Sequence, residues 1–395
     1  MAMFIGRNRK ARVTYGFDEI ALVPGNVTIN PSEVDITFEI PNPNGGNPVG
    51  LAIPILASAM DGVVDVRFAG EMGNLGGLAV LNLEGIQTRY KYPEEVLLEV
   101  LDADKEHVTA LLQKIYQEPV QEDLIAARVR EMKALGISAA VSSIPQKAER
   151  YGQIAQEAGV DVFVVQSTVS TVRHISTEYQ SLDLKQFCRG MRCPVIVGNT
   201  VGYDVTLEIM ECGVAAVLVG VGPGAACTSR GVLGLGVPQV TATVDCAAAR
   251  DYYFKRTGKY VPIITDGGMS KGGDVCKALA CGADAVMIGS AFAKAIEAPG
   301  KGYHWGMATP HANLPRGTRI RVGTTGPLKQ ILFGPAEVDD GSQNLVGAIT
   351  TCMGNVGAAN LREFQETEII IAPSIRTEGK LFQQVQMVGM GSRNT

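Results

Sequence analysis

Nowhere in the sequence do roughly 18 uncharged apolar residues follow one another, so no membrane-spanning helix is expected and no membrane partner is foreseen. The opening MAMFIGRNRKARVTYG has no apolar core of the kind a secretory signal carries, which points to a cytoplasmic protein. No C-x-x-C pair occurs among the eight cysteines. That spacing fits neither a disulfide framework nor a zinc site, and leaves most of the thiols as small core residues of a reduced protein. Long runs of Lys and Arg are absent as well, and the formal net charge is −5, which argues against nucleic acid as a partner. With 46% hydrophobic and 19% charged residues, the 395-residue chain can bury one large core or two ordinary ones.

What the chain does contain is a recurrence. Short apolar runs rich in Val, Ile and Ala stand at 53–57, 79–83, 137–142, 161–166, 194–199, 214–219, 261–265 and 284–289. Runs of this length, apolar on both faces, read as parallel strands covered on two sides. Between most of them lie helical patterns, among them 121–136, 148–159 and 272–282, and the last two end in glycine, where a left-handed cap stops a helix. Eight such units in one core predict an α/β fold of the (β/α)8 TIM barrel type, as a single domain; a doubly wound open sheet is the alternative. Two stretches lie outside the repeat. Residues 90–122 are charged and Leu-bearing and should be helical. Residues 298–345 are rich in Gly, Pro and Thr and too long for an idle connector, so a flap at about 300–325 is expected over the site.

In a barrel of this kind chemistry sits where the strands end. The first strand ends in Ser58-Ala59-Met60-Asp61-Gly62, the fourth in Gln166-Ser167-Thr168 and the fifth in Gly198-Asn199. The sixth runs into GVGPGAACTSRG (220–231), the seventh into Asp266-Gly267-Gly268 and the eighth into Gly289-Ser290. Bare backbone N–H groups after strands seven and eight, near a following helix N-terminus, suit a phosphate; tight turns alone are the other explanation. Cys227 lies on the same rim, either as a nucleophile or as an ordinary loop cysteine, with Arg230 as its charge partner or as a solvated side chain. Cys188, Cys193, Cys212, Cys246, Cys276, Cys281 and Cys352 read as packing residues.

Taken in order, TYGFDEIALVPG, ILASAMDG, IVGNTV, GVGPGAACTSRG with the later PQVTA, TDGGMSKGGDVCKALACGADAVMIGS and TCMGNVGAANLREF resemble the signature segments of the IMP dehydrogenase/GMP reductase family over nearly the whole chain. The resemblance implies a nucleoside monophosphate across the barrel mouth. Its phosphate would rest on Gly268, Gly289 and Ser290, its ribose on Asp266, and its purine near Ser58, Met60 and Asn199. Cys227 matches the family's nucleophile, which in the dehydrogenase forms a thioimidate at C2 of IMP while hydride passes to NAD. The cofactor side matches Gln166, Ser167 and Thr168. A potassium ion is implied at the carbonyls of Gly222, Gly224 and Cys227, completed by Glu378 of a neighbouring subunit in a homotetramer.

The departures from the family pattern matter as much. The regulatory CBS module of typical dehydrogenases is replaced here by the short helical stretch near 90–122. Gln166 stands where those enzymes have an aspartate on the nicotinamide ribose, Ala225 where they have a phosphate-binding serine, Ser229 where they have a threonine two residues after the cysteine, and His304 where they have a phosphate-binding tyrosine. Pro223-Gly224 and Arg230 look more like the reductase loop. In PRGTRIRV (315–322) Arg316, followed by the pattern's glycine Gly317, replaces the glutamate that reductases need, and the stretch 307–316 holds no Arg-Tyr pair but does hold Thr309 and His311. Arg316 is thus either the base or a purine contact, His311 a base or a solvated residue, and Arg319 a further polar group of the same segment. The leading expectation is an NAD-dependent IMP dehydrogenase. A GMP reductase using NADPH is the alternative, followed by a purine-nucleotide-binding protein without catalysis.

Overall fold

Each of the eight apolar runs folds as a strand of one closed parallel barrel in the computed structural model, which describes residues 2–306, 319–373 and 379–389. The strands are β1 (Ile55–Ala57), β2 (Leu78–Asn82), β3 (Ala140–Ser143), β4 (Val162–Gln166), β5 (Val195–Thr200), β6 (Ala216–Val219), β7 (Ile263–Asp266) and β8 (Ala285–Ile288). Every strand pairs with its sequence neighbours, and β8 closes on β1 through Val286–Ile55, Met287–Leu56 and Ile288–Ala57. The open-sheet alternative is thereby excluded. Alternation along the strands explains why the runs are apolar throughout. Leu56, Val80, Val164, Ile196, Leu218, Ile264 and Met287 form one buried cluster inside the barrel. Ile55, Leu81, Val165, Val197, Val217, Ile263 and Val286 belong to a second cluster, between the sheet and its helices.

That outer layer comprises α1 (Val66–Asn74), α2 (Glu122–Ala134), α3 (Pro145–Glu157), α4 (Leu184–Gly190), α5 (Tyr203–Glu211), α6 (Gln239–Thr257), α7 (Gly272–Ala280) and α8 (Leu345–Val356). Local chemistry sets their ends. Asp65 caps α1 by accepting from the Phe68 amide, Asp183 caps α4 through Gln186, and Pro145 occupies the first turn of α3, where its missing N–H costs nothing. Gly159 and Gly282 follow α3 and α7 at φ of +92° and +109°, as their positions in the sequence foretold.

Other boundaries differ. The run at 137–142 becomes a strand only at Ala140, because Gly136 turns at φ +74° and Ile137 fills the space beside Gly73. Residues 90–122 hold two helices, Pro93–Asp102 and Val108–Ile115, broken where Ala103 turns extended. The stretch 298–345 contains a short antiparallel ladder, Tyr303–His304 with Ile320–Arg321, and a helix, Leu328–Phe333. Three further pairings have no counterpart in the sequence reading, the first a hairpin of Ala2–Gly6 with Arg9–Arg12. A hairpin of Phe38–Ile40 with Val49–Leu51 feeds Phe38, Ile40 and Leu51 into the inner cluster, and Asn44 beside it donates to the carbonyls of Cys188 and Met191, at the end of the barrel where β5 begins. Ile20–Leu22 pairs antiparallel with Ile369–Ile371, joining the two ends of the fold. Among the described residues no helix is long and apolar enough to cross a membrane.

The end of the barrel where β7 and β8 start is held by a buried ion pair. Arg250 of α6, 2% exposed, donates to Asp284 at 2.8 Å and to the Gly282 carbonyl at 2.6 Å. Asp284 also accepts from the Ile263 amide at 2.8 Å and from Gln365 at 3.0 Å. Removing one partner strands the other charge in the core, so Arg250→Met should cost about 3–5 kcal/mol. The double change Arg250→Met with Asp284→Asn should recover part of that. Melting temperatures of Arg250→Met, Asp284→Asn and the double variant check this, and a single change that leaves stability intact would show the pair to be dispensable.

Candidate active site

The opposite, C-terminal mouth collects the strand-end residues. From β7, Asp266 accepts from Asn199 Nδ2 of β5 at 2.8 Å and from Gln166 Nε2 of β4 at 3.1 Å, both at Oδ2. Its other oxygen receives a long bond from Ser58 Oγ, just after β1, at 3.5 Å. Gln166 Nε2 also donates to Asn199 Oδ1 at 3.1 Å. Four strands thus contribute to one polar cluster over an apolar barrel interior. Burial pushes the Asp266 carboxyl up to about 6, and the bonds from Asn199, Ser58 and Gln166 pull it only part of the way back. One oxygen of this carboxylate carries two amide donors and the other only a weak one, which leaves it free to accept from hydroxyls.

The two glycine turns stand beside this cluster. Gly267 and Gly268 adopt φ of +83° and +80°, a conformation that suits glycine, and Pro223 lies within 3.2 Å of where their Cβ atoms would be. Gly289 precedes the short helix Ser290–Ala293, whose first N–H groups have no helical partner to bond. A Cβ on Gly289 would meet Met60 Sδ at 2.8 Å, so the loop after β1 and the turn after β8 touch. Gln239, at the start of α6, is buried and donates to the carbonyls of Val219 at 2.6 Å and Asp266 at 3.2 Å, tying the ends of β6 and β7 together. Its residue type alone gave no sign of this bridge; its place in the PQVTA segment was the available signal.

Cys227 occupies the loop after β6. Its amide donates to the Gly224 carbonyl at 3.0 Å, and its thiol donates to Ser229 Oγ at 3.4 Å. It is exposed, while six of the other seven free cysteines are buried. Burial pushes the thiols of Cys188, Cys193, Cys246 and Cys281 up to about 12, so they stay protonated and inert. Arg230 is exposed, as the solvated alternative has it, and its described hydrogen bond does not go to Cys227. Its side chain lies against Gly222 and Gly236, at 2.6 and 2.7 Å from their would-be Cβ positions, and it donates to the Val237 carbonyl at 2.9 Å. It braces the cysteine loop.

His304 sits in the short ladder, 1% exposed, and neither ring nitrogen has a hydrogen-bond partner among the described residues. Burial lowers its pKa to about 4, so the ring is neutral at physiological pH. On the cofactor side, Ser167 Oγ donates to the Val169 carbonyl at 2.9 Å and lies 3.0 Å from Ser170 Oγ, and Thr168 follows it half-buried. Arg319 corrects the sequence reading. Its guanidinium donates to the carbonyls of Val100, Leu101 and Ala103 and lies 4.5 Å from the Tyr303 ring, so it caps the helix Pro93–Asp102 instead of serving as a free polar group. Thr309, His311, Arg316, Gly317 and Glu378 lie outside the described residues. Among the described residues no group of three His, Cys, Asp or Glu side chains is placed to hold a metal ion. A monovalent cation at this loop would rely on backbone carbonyls instead.

Comparison with known proteins bears on the same architecture. Residues 14–379 match the model of the IMP dehydrogenase / GMP reductase domain. A protein of Mycolicibacterium smegmatis described as an uncharacterized oxidoreductase is 36% identical over 376 residues, covering 93% of this chain and 99% of its own. The inosine-5'-monophosphate dehydrogenase of Cryptosporidium parvum is 29% identical, with 88% and 89% covered. The crystal structure of an IMP dehydrogenase/GMP reductase-like protein from Corynebacterium glutamicum superposes with a TM-score of 0.87 at 34% identity, covering 94% of this chain and 97% of the other.

Proposed function

The chain belongs to the IMP dehydrogenase/GMP reductase family of oxidoreductases, and from that premise we propose that it oxidises IMP to XMP with NAD through a thioimidate on Cys227. The observation that carries this reading is an exposed thiol on the same barrel mouth as the Ser58–Gln166–Asn199–Asp266 cluster. Asp266 holds the ribose hydroxyls. Gly268, Gly289 and Ser290 present N–H groups to the phosphate, and His304, kept neutral by burial, stands by as a hydrogen-bond donor. Cys227 Sγ bonds to C2 of the purine, and the C2 hydrogen leaves with its electron pair. Bound NAD supplies the acceptor for that hydride. Water then adds at C2, the C–S bond breaks, and XMP and the free thiol result. Arg316, or failing it His311, is proposed to take the proton from that water.

The nicotinamide ribose is placed at Gln166, Ser167 and Thr168. The Gln166 amide nitrogen is committed to Asp266 and Asn199, while its carbonyl oxygen has no partner among the described residues and suits a ribose hydroxyl. A potassium ion is assigned to the loop carbonyls of Gly222, Gly224 and Cys227 on the family resemblance. Gly222, at φ +78° with no room for a Cβ, lets the chain turn there. Glu378 of a neighbour would complete that site in a homotetramer.

One feature favours a second reading, reduction of GMP to IMP with NADPH. The loop has a reductase-like build, with Pro223 seated on Gly267 and Gly268 and Arg230 bracing Gly222. The two readings separate in a cuvette. Absorbance at the NADH band should rise when the protein meets IMP and NAD, more steeply with potassium than without. Consumption of NADPH with GMP, and no signal with IMP, would assign the reductase instead. Silence in both assays despite nucleotide binding would point to a protein that has lost catalysis.

A further inference from the structure

Between β2 and α2 the helices Pro93–Asp102 and Val108–Ile115 build an apolar core of their own. Its buried members are Ile86, Val96, Leu97, Val100, Val108, Leu112, Ile115, Tyr116 and one residue from elsewhere, Trp305. Trp305 is wholly buried and directly follows His304. Its indole N–H donates to Tyr116 Oη at 2.8 Å, and that hydroxyl in turn donates to Asp61 Oδ2 at 2.6 Å. Asp61 is also buried, directly follows Met60, and accepts from the Ile86 amide at 2.7 Å. The approach needs Gly85, whose Cβ would fall 2.0 Å from Asp61 Oδ1.

A single hydroxyl on the insert therefore joins the loop after β1 to the segment carrying His304. The two segments also meet directly. Gly62 accepts from the Gly300 amide at 3.0 Å, and a Cβ on Gly62 would lie 2.7 Å from the Tyr303 carbonyl and 2.9 Å from His304 Cα. On its other side the β1 loop touches the phosphate turn, through Met60 against Gly289. We propose that Tyr116 is a positioning residue for the nucleotide site, holding Met60 and His304 in register with the turn at Gly289 through Asp61 and Trp305. This assignment rests on the nucleotide-binding reading given above. The indole N–H, the Tyr116 hydroxyl and Asp61 Oδ2 come from three different segments and bond in series, so losing the hydroxyl leaves the indole N–H without its acceptor and removes one donor from Asp61. The insert is then part of the substrate site at one remove.

Trp305 is the only tryptophan in the sequence, so its emission reports the bond directly. In Tyr116→Phe the Trp305 spectrum should shift, IMP affinity measured by calorimetry should fall about tenfold, and KM for IMP should rise in step while kcat changes less than about threefold. Tyr90→Phe is the control, since it loses a hydroxyl bond of the same insert, to the Ile115 carbonyl at 3.1 Å, without touching Asp61 or Trp305. Its IMP affinity should stay at the unaltered protein's value. Trp305→Phe breaks the same chain from the other end and should reproduce the affinity loss, including where Tyr116→Phe folds poorly. Undiminished IMP affinity in folded Tyr116→Phe or Trp305→Phe, or an equal loss in Tyr90→Phe, would overturn the assignment alone. Failure of the unaltered protein to bind IMP, XMP or GMP would overturn the nucleotide-binding reading and this assignment with it.

Discussion

Replacing Cys227 by alanine is expected to lower turnover by at least about a thousandfold, some 4 kcal/mol of barrier, while IMP affinity stays within about threefold. The separation follows from where the two tasks sit. On the proposed binding mode ribose and phosphate rest on Asp266, Gly268, Gly289 and Ser290, on β7, β8 and the turns after them, and the described hydrogen bonds of Asp266 and of the thiol do not join the two. The thiol touches Ser229, which begins the next helical turn, so its loss leaves the binding turns where they are. Covalent catalysis divides a hard displacement between two easier steps, and without the nucleophile neither step has a path. Steady-state rates and calorimetry on the same preparation check both halves. A positive counterpart is a mass increase on Cys227 after exposure to a C2-reactive purine nucleotide, absent in Cys227→Ala. Normal turnover in that variant would refute the thioimidate.

A second large effect is expected at Asp266, with opposite signs for binding and for stability. On the proposed binding mode Asp266→Asn takes a charged acceptor from the ribose, and IMP affinity at pH 7.5 should fall about 100-fold, since bonds to charged groups contribute about 1.5–3 kcal/mol each. The protein itself should become more heat-stable. Burial holds the Asp266 carboxyl at about 6 in the folded chain, above the ordinary 3.8, so folding disfavours the ionised form. Wild-type stability from this residue is therefore full below pH 4, declines as pH rises from about 4 to about 6, and is flat above that. The variant should melt a few degrees higher at pH 7.5, and the gain should vanish at pH 4. His304 acts the other way. Its pKa near 4 lies below the ordinary 6.5, so its contribution is present above pH 6.5 and is lost as pH falls from there towards 4. Comparing Asp266→Asn with wild type at each pH removes the histidine from the difference. A variant less stable than wild type at pH 7.5 would show that the carboxylate is not strained in the empty site.

The barrel was legible because its strands are buried on both faces. A run such as Ala216–Val219, wholly apolar, has no reading as a half-solvated strand, and eight such runs with helical patterns between most of them leave little choice of architecture. The three-residue strands Phe38–Ile40 and Ile20–Leu22 were invisible for the converse reason. Three residues carry too little periodicity to register, and their pairing partners lie at Val49–Leu51 and at Ile369–Ile371, the latter near the far end of the chain. At the site, residue types on the strand ends pointed to Asp266, Asn199 and Gln166, but not to the bonding among them, which depends on the tilt of neighbouring strands. Arg319 shows the limit most plainly. Placed by its neighbours in sequence, it reads as part of the polar segment before it, yet its guanidinium is committed to a helix more than 200 residues earlier. Long side chains reach across the fold, and their destinations are tertiary facts.

The seam between Ile20–Leu22 and Ile369–Ile371 has a mechanical meaning. Ile20 faces Ile371 and Leu22 faces Ile369, so the chain leaves this two-stranded ladder towards both termini from the same end. Tension applied to the termini would load its hydrogen bonds one after another, as a zipper is loaded, instead of all together. Barrel strands resist in the other geometry, because parallel neighbours can separate along the pull only by sliding. Under stretching this seam should open at low force, after the N-terminal hairpin outside it and with the barrel still closed behind it.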